Sequence, residues 1–186
     1  MLAAVNASDP PHASPSDLEG IFQRHHSQVF ATAYRMTGSA QDAEDVLQTV
    51  FLRLLRRRAE LDLSPSPVSY LHRAAVNAAL DLMRARSRAR QVALDEIDVP
   101  LANGHPATSP QRRQEDREMR GALRQAMTQL PPKSAEIFAL RFLQDLPNRE
   151  IALALGMSQT AVGVALHRAR NQVKKELHSI VRGDAS

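Results

Sequence analysis

Residues 149–170, REIALALGMSQTAVGVALHRAR, place a helix, a tight turn and a second helix in succession. Ile151 and Ala152 fall on the first helix, Leu155 precedes the turn, Gly156 occupies it, and Met157, Val162 and Leu166 recur at inward spacing. Ala152 is small where two helices cross steeply, and Gly156 suits the left-handed backbone of a tight turn. Ser158 is positioned to cap the second helix. An ordinary helical hairpin shares some of this pattern, but a turn of about three to four residues with its glycine here favours a DNA-reading helix-turn-helix. The start of the second helix then enters the major groove, which makes Ser158, Gln159, Thr160, Gly163, Val164, His167 and Arg168 the outward candidates. Gln159 has the amide to read adenine, and Arg168, Arg170, Lys174 and Lys175 have the charge to hold phosphates or, alternatively, to form a solvated helix face. Gly163, Val164 and Ala165 leave the middle of this helix without polar side chains. That surface suits a thymine methyl or a close backbone approach, so weak or unusual readout is expected.

Working outward, DLPN ends a preceding helix, KSAEIFALRFLQ, and Pro131 and Pro132 separate that helix from QRRQEDREMRGALRQAMTQL. The latter is charged, with a thin apolar stripe of Met119, Leu123, Ala126, Met127 and Leu130. Four helices therefore occupy residues 111–182, with 183–186 as a tail. Over residues 91–110 periodicity fades into DVPLANGHPATSP, whose proline, glycine and asparagine content reads as a linker. Three more helices are expected over residues 16–90. The first runs from a Ser16 cap to Gly38, and the second is capped by Ser39 and carries the stripe Val46, Leu47, Val50, Phe51, Leu54 and Leu55. The third buries Tyr70, Leu71, Ala74, Ala75, Ala78, Leu82 and Met83 after a loop punctuated by Pro65 and Pro67. Residues 1–15 read as a disordered arm.

The fold class is all-α, in two small helical domains. Aromatics make up only 4% of the 186 residues, and no strand pattern outcompetes the helical periodicity. A formal charge of +4 and a pI near 10.1 admit phosphate-bearing partners. Zero cysteines exclude disulfides and thiolate metal sites, and the seven histidines are scattered without metal-ligand spacing. There is no glycine-rich phosphate loop or nucleophile elbow, so no catalytic residue, metal or cofactor is expected. No apolar run approaches the roughly 20 residues that span a bilayer, and the first residues lack a secretory pattern. A cytoplasmic protein without membrane insertion is the expectation.

Four stretches together resemble the extracytoplasmic-function (ECF) branch of bacterial sigma-70 factors: DAEDVLQTVF, YLHRAAVNAALD, LPP followed by ALRF, and EIALALGMS followed by LHRAR. The resemblance runs from about Ser16 to Leu177, omitting the arm and the linker. It implies a region 2-like domain over residues 16–90 and a region 4-like domain over 111–182. The first would grip the clamp coiled coil of the largest subunit of core RNA polymerase and capture the melted -10 element. The second would read the -35 element and meet the flap of the other large subunit.

By resemblance, Asp42, Glu44, Asp45, Gln48 and Leu52 present the polymerase contact, although acids there also suit the positive end of a helix. Leu61, Asp62, Leu63 and Ser64 lie in the -10 specificity loop, and Asn77 matches the asparagine of the pocket beneath it. An amide both donates and accepts, so Asn77 can read a base edge; tying down the loop is its alternative role. Arg73, Arg84 and Arg86, with Arg88 and Arg90, would line the phosphate track. The loop departs from the family pattern, with Leu61 and Tyr70 where aromatics and a tryptophan are common. Promoter DNA, core polymerase and an anti-sigma factor are the implied partners. A competing reading is a sigma-like mimic that binds polymerase or an anti-sigma factor without reading a promoter. A dimeric repressor would leave the DAEDVLQTVF helix without a purpose.

Overall fold

The computed structural model describes residues 15–56, 66–92 and 110–182. Seven helices follow in order, α1 (Pro15–Thr37), α2 (Ala40–Arg56), α3 (Pro67–Val92), α4 (Pro110–Gln129), α5 (Pro132–Phe142), α6 (Asn148–Leu155) and α7 (Gln159–Arg182). No strand occurs among the described residues. The anticipated arm and tail, and most of the linker, lie outside them. Gln91, Val92 and Pro110, read as linker, are helical.

Local chemistry sets the helix ends. Gly38 adopts a φ of 73°, its N–H closes α1 on the Tyr34 carbonyl, and Ser39 Oγ accepts from the Asp42 N–H at 3.3 Å. α3 starts on Pro67, whose missing N–H costs nothing at a first helical position, and Ser66 Oγ accepts from the Ser69 N–H at 3.2 Å. α1 begins one residue before Ser16, so the expected cap residue is inside the helix.

In the first module, Val29, Ala33 and Met36 of α1 pack with Val46, Val50 and Leu54 of α2 and with Leu71, Ala75 and Ala79 of α3. α3 buries more than one face, and it also lies along α4, α5 and α6. α5 likewise buries six consecutive residues, Ala135 to Leu140, between α7 and α3. A helix apolar nearly all round has to be enclosed, and here the enclosure comes partly from the first module. The two modules read from the sequence are thus present, and they touch. Gly38 marks one close approach: a Cβ there would stand 2.7 Å from Arg124 Nη1 on α4.

Candidate nucleic-acid and polymerase interfaces

The helix-turn-helix is built from α6 and α7. Gly156 takes the left-handed conformation, with φ 61° and ψ 37°, and the Met157 N–H reaches back to the Ala152 carbonyl at 2.9 Å. Ile151, Ala152, Val162 and Leu166 are buried as the spacing predicts, and Ser158 Oγ accepts from the Ala161 N–H at 3.1 Å. With the inner face spoken for, Ser158, Gln159, Thr160, His167 and Arg168 stand exposed. His167 is within hydrogen-bond distance of Asn171 Nδ2 at 3.1 Å. Val164 is 48% exposed, and a Cβ added to Gly163 meets nothing within 4 Å. Packing therefore does not impose the bare surface at Gly163 and Val164, whereas Ala165 packs against the core.

Arg170 stands apart from the other reading-helix candidates. Its guanidinium lies over the Phe142 ring, 4.8 Å from the centroid, and forms part of an apolar groove between α4, α5 and α7. Met119, Leu123, Phe138, Phe142, Val173 and Leu177 supply the apolar wall of this groove, about 660 Å³ in volume. Met119 is 55% exposed there. The thin apolar stripe of α4 is buried at Ala126, Met127 and Leu130, packs partly against the core at Leu123 and reaches the surface at Met119.

Along α2, Glu44, Asp45, Gln48 and Leu52 are exposed together, and Leu55 extends their row by a turn. Asp42 differs from its anticipated place in this row. It is 5% exposed and forms an ion pair with Arg86 of α3. One helical turn holds both arrangements, because Asp42 falls on the stripe of Ala43, Val46 and Val50. Arg86, expected on the phosphate track, is therefore engaged within the first module.

Of the -10 candidates, Leu61, Asp62, Leu63 and Ser64 lie outside the described residues. Arg73, Asn77 and Arg84 share a face of α3, and that face meets the second module. Arg73 Nε donates to Glu136 Oε1 at 3.2 Å, and its Nη1 donates to the Ala154 carbonyl at 2.7 Å. Asn77 Nδ2 donates to the same Glu136 oxygen at 3.0 Å. Lys133 approaches the other oxygen at 3.1 Å. Arg84 donates to the carbonyls of Thr128 and Leu130, capping the C-terminal end of α4. Farther along the contact, Thr32 donates to Gln144 Oε1 at 2.9 Å in a buried setting, and Arg35 reaches the Leu143 carbonyl. Burial and the neighbouring charge of Arg35 lower the pKa of His72, while Glu150 opposes them. Glu136 was not singled out in the sequence, although a lone carboxylate inside AEIFAL is a signal, since buried charges need partners.

The chain matches two family models, Sigma-70 region 2 over residues 21–89 and Sigma-70, region 4 over residues 120–173. It is 30% identical over 176 residues to the ECF RNA polymerase sigma factor SigE of Mycolicibacterium smegmatis, covering 94% of this chain and 66% of that protein. Identity to the probable RNA polymerase sigma factor RfaY of Xanthomonas campestris is 32%, covering 95% and 45%. The RNA polymerase sigma-E factor of Streptomyces coelicolor is 27% identical, with 87% of this chain and 86% of that protein covered. The chain thus spans about half to two thirds of the length of the first curated relatives it matches. Two solved structures share the fold. One is the sigma factor RpoE in complex with the anti-sigma factor NepR from Bartonella quintana, with TM-score 0.53, 16% identity and coverage of 88% and 98%. The other is CnrH in complex with the cytosolic domain of CnrY, with TM-score 0.51, 22% identity and coverage of 89% and 90%.

Proposed function

The chain belongs to the ECF branch of the sigma-70 family, and on that premise we propose that it binds core RNA polymerase and directs promoter-specific initiation. The observation that carries this reading is the presence of both modules in one chain, each with a surface suited to its task. Glu44, Asp45, Gln48 and Leu52 offer carboxylates and an apolar anchor to an arginine-bearing coiled coil, the polymerase clamp. The groove around Phe142 offers an apolar seat with a basic rim to the flap. Ser158, Gln159, Thr160, His167 and Arg168 face the -35 element, with Gly163 and Val164 contributing shape rather than donors.

Asn77, with Arg73 and Arg84, captures the -10 strand. A weak -35 reader suffices when polymerase tethers it, because tethering raises its effective concentration at the promoter. The protein makes and breaks no covalent bond in this role, and it acts in the cytoplasm where the polymerase is. An anti-sigma factor as a further partner is supported by the fold neighbour RpoE, solved in complex with the anti-sigma factor NepR.

Genomic run-off transcription with bacterial core polymerase tests the proposal, with initiation expected from a restricted promoter set. Asn77→Ala weakens open-complex formation and leaves polymerase binding nearly unchanged; equal loss of both makes Asn77 structural. The bare middle of the reading helix favours one other reading, a regulatory mimic. A stable holoenzyme that initiates at no promoter would establish the mimic instead.

A further inference from the structure

We infer that Asn171 is a positioning residue for -35 readout: its amide holds His167 neutral with the proton on Nδ1, and that N–H is the donor that reads a guanine edge beside the bare middle of α7. This inference rests on the proposed -35 reading for the task, and on the geometry of α7 for the donor. Thr160, Gly163, Val164, His167 and Asn171 follow one another at helical spacing, so they share one face of α7. Thr160, Val164, His167 and Asn171 are exposed on it. Gly163 and Val164 carry no hydrogen-bonding side chain, so His167 is the first polar side chain of this face after Thr160.

Side chains of a helix lean toward its N-terminus, and an unrestrained imidazole at position 167 would lie over Gly163. The ring is held the other way. His167 Nε2 stands 3.1 Å from Asn171 Nδ2 on the following turn, and a Cβ built on Gly163 meets nothing within 4 Å. An amide nitrogen only donates, so Nε2 is the acceptor of this bond. A doubly protonated ring would set two donors against each other, and in a neutral ring the bond made by one nitrogen fixes the proton on the other. His167 therefore offers the groove one N–H and no charge. Guanine presents O6 and N7 as acceptors at the major-groove edge, and an uncharged donor matches them. Phosphates call for charge, which the exposed Arg168 beside it supplies.

Nitrogen NMR of the full chain at about pH 8, above the ordinary histidine range, reads the tautomer directly, with the His167 signals assigned by their loss in His167→Ala. The Nδ1–H form is expected in the parent. Asn171→Ala releases the ring toward the Nε2–H form, and Asn171→Asp requires that form, because a carboxylate only accepts. Holoenzyme affinity is then measured on a promoter from the run-off screen, with each base pair of the -35 element changed in turn. His167→Ala, Asn171→Ala and Asn171→Asp are expected to lower discrimination at one and the same G·C pair by about three- to tenfold, the scale of one hydrogen bond, with helicity by circular dichroism retained. An Nε2–H ring in the parent, or discrimination in Asn171→Asp equal to the parent's, overturns the positioning role. A loss spread evenly over all base pairs overturns base reading and assigns the donor to phosphate. A parent holoenzyme indifferent to every -35 change overturns the -35 reading itself, while the free-chain tautomers decide the positioning by Asn171 on their own.

Discussion

The guanidinium of Arg170 lies 4.8 Å over the ring of Phe142, so a basic residue of the reading helix is turned into the groove between α4, α5 and α7. Exposed cation–π contacts stabilise by roughly 0.5–1 kcal/mol, enough to bias the orientation of a side chain. On the proposed function the groove seats the polymerase flap, with Phe142 as its aromatic anchor. Phe142→Ala is expected to weaken holoenzyme assembly about tenfold, the usual scale for truncating a central aromatic anchor. Binding of the isolated protein to -35 duplex stays within twofold, on the order of unperturbed surface substitutions. Titration of core polymerase and duplex separately distinguishes them, and equal losses would place Arg170 and Phe142 at the DNA instead.

Asp42 and its neighbours on α2 divide by where they point. Asp42→Ala leaves Arg86 without its buried partner and lowers stability by about 1–2 kcal/mol, a range reduced because Arg86 is 46% exposed. Glu44→Ala and Asp45→Ala remove exposed carboxylates and lower polymerase affinity with little change in melting temperature. Thermal unfolding alongside polymerase titration checks this; a stable Asp42→Ala that loses only polymerase binding would return Asp42 to the docking face.

Gly163 tests what the bare reading helix is for. An added methyl meets nothing within 4 Å in the protein, so Gly163→Ala stabilises α7 by about 0.5–1 kcal/mol through the lower backbone entropy cost. Duplex affinity at the -35 element unchanged or slightly improved is the expected companion. A large loss despite a higher melting temperature shows instead that the glycine admits the DNA backbone.

His72 makes stability fall toward acid. Gln28 Nε2 lies 2.9 Å from His72 Nε2, while the buried Nδ1 has no hydrogen-bond partner. Burial first, then Arg35, lower the folded pKa from its ordinary 6.5, with His25 adding to the effect and Glu150 opposing it. The unfolded chain therefore takes up this proton before the folded one does, and stability is full above pH 6.5 and declines as pH falls toward the lowered folded value. Melting temperatures across pH 5.5–7.5, in approximate steps wide enough to bracket the ordinary histidine range, should drop toward acid. Replacement of His72 by Gln flattens that dependence; an unchanged slope assigns it to other groups.

Much of this molecule is legible locally. Ser39 and Ser158 cap where expected, and Gly38 and Gly156 take positive φ where the helical periodicity stops. These signals act within about a turn, so a single stretch of chain contains both partners. The outward face of α7 was legible for the same reason, since Val162 and Leu166 fix the buried side. Arg170 was not, because a position beside the buried stripe turns toward whichever neighbour the other helices supply.

The sequence by itself determined seven helices, their order in two modules, the helix-turn-helix and the family to which those motifs belong. Tertiary structure alone decided which side chains of α3 and α5 are outward. Periodicity identifies one buried face, but α3 and α5 are covered on more than one side by helices distant in the chain. Asn77 finds Glu136 across a separation of 59 residues, and Thr32 finds Gln144 across 112. Donor and acceptor inventories are local properties, whereas their pairing depends on how two modules close, and closure turns apparent DNA-binding residues into partners of the protein itself.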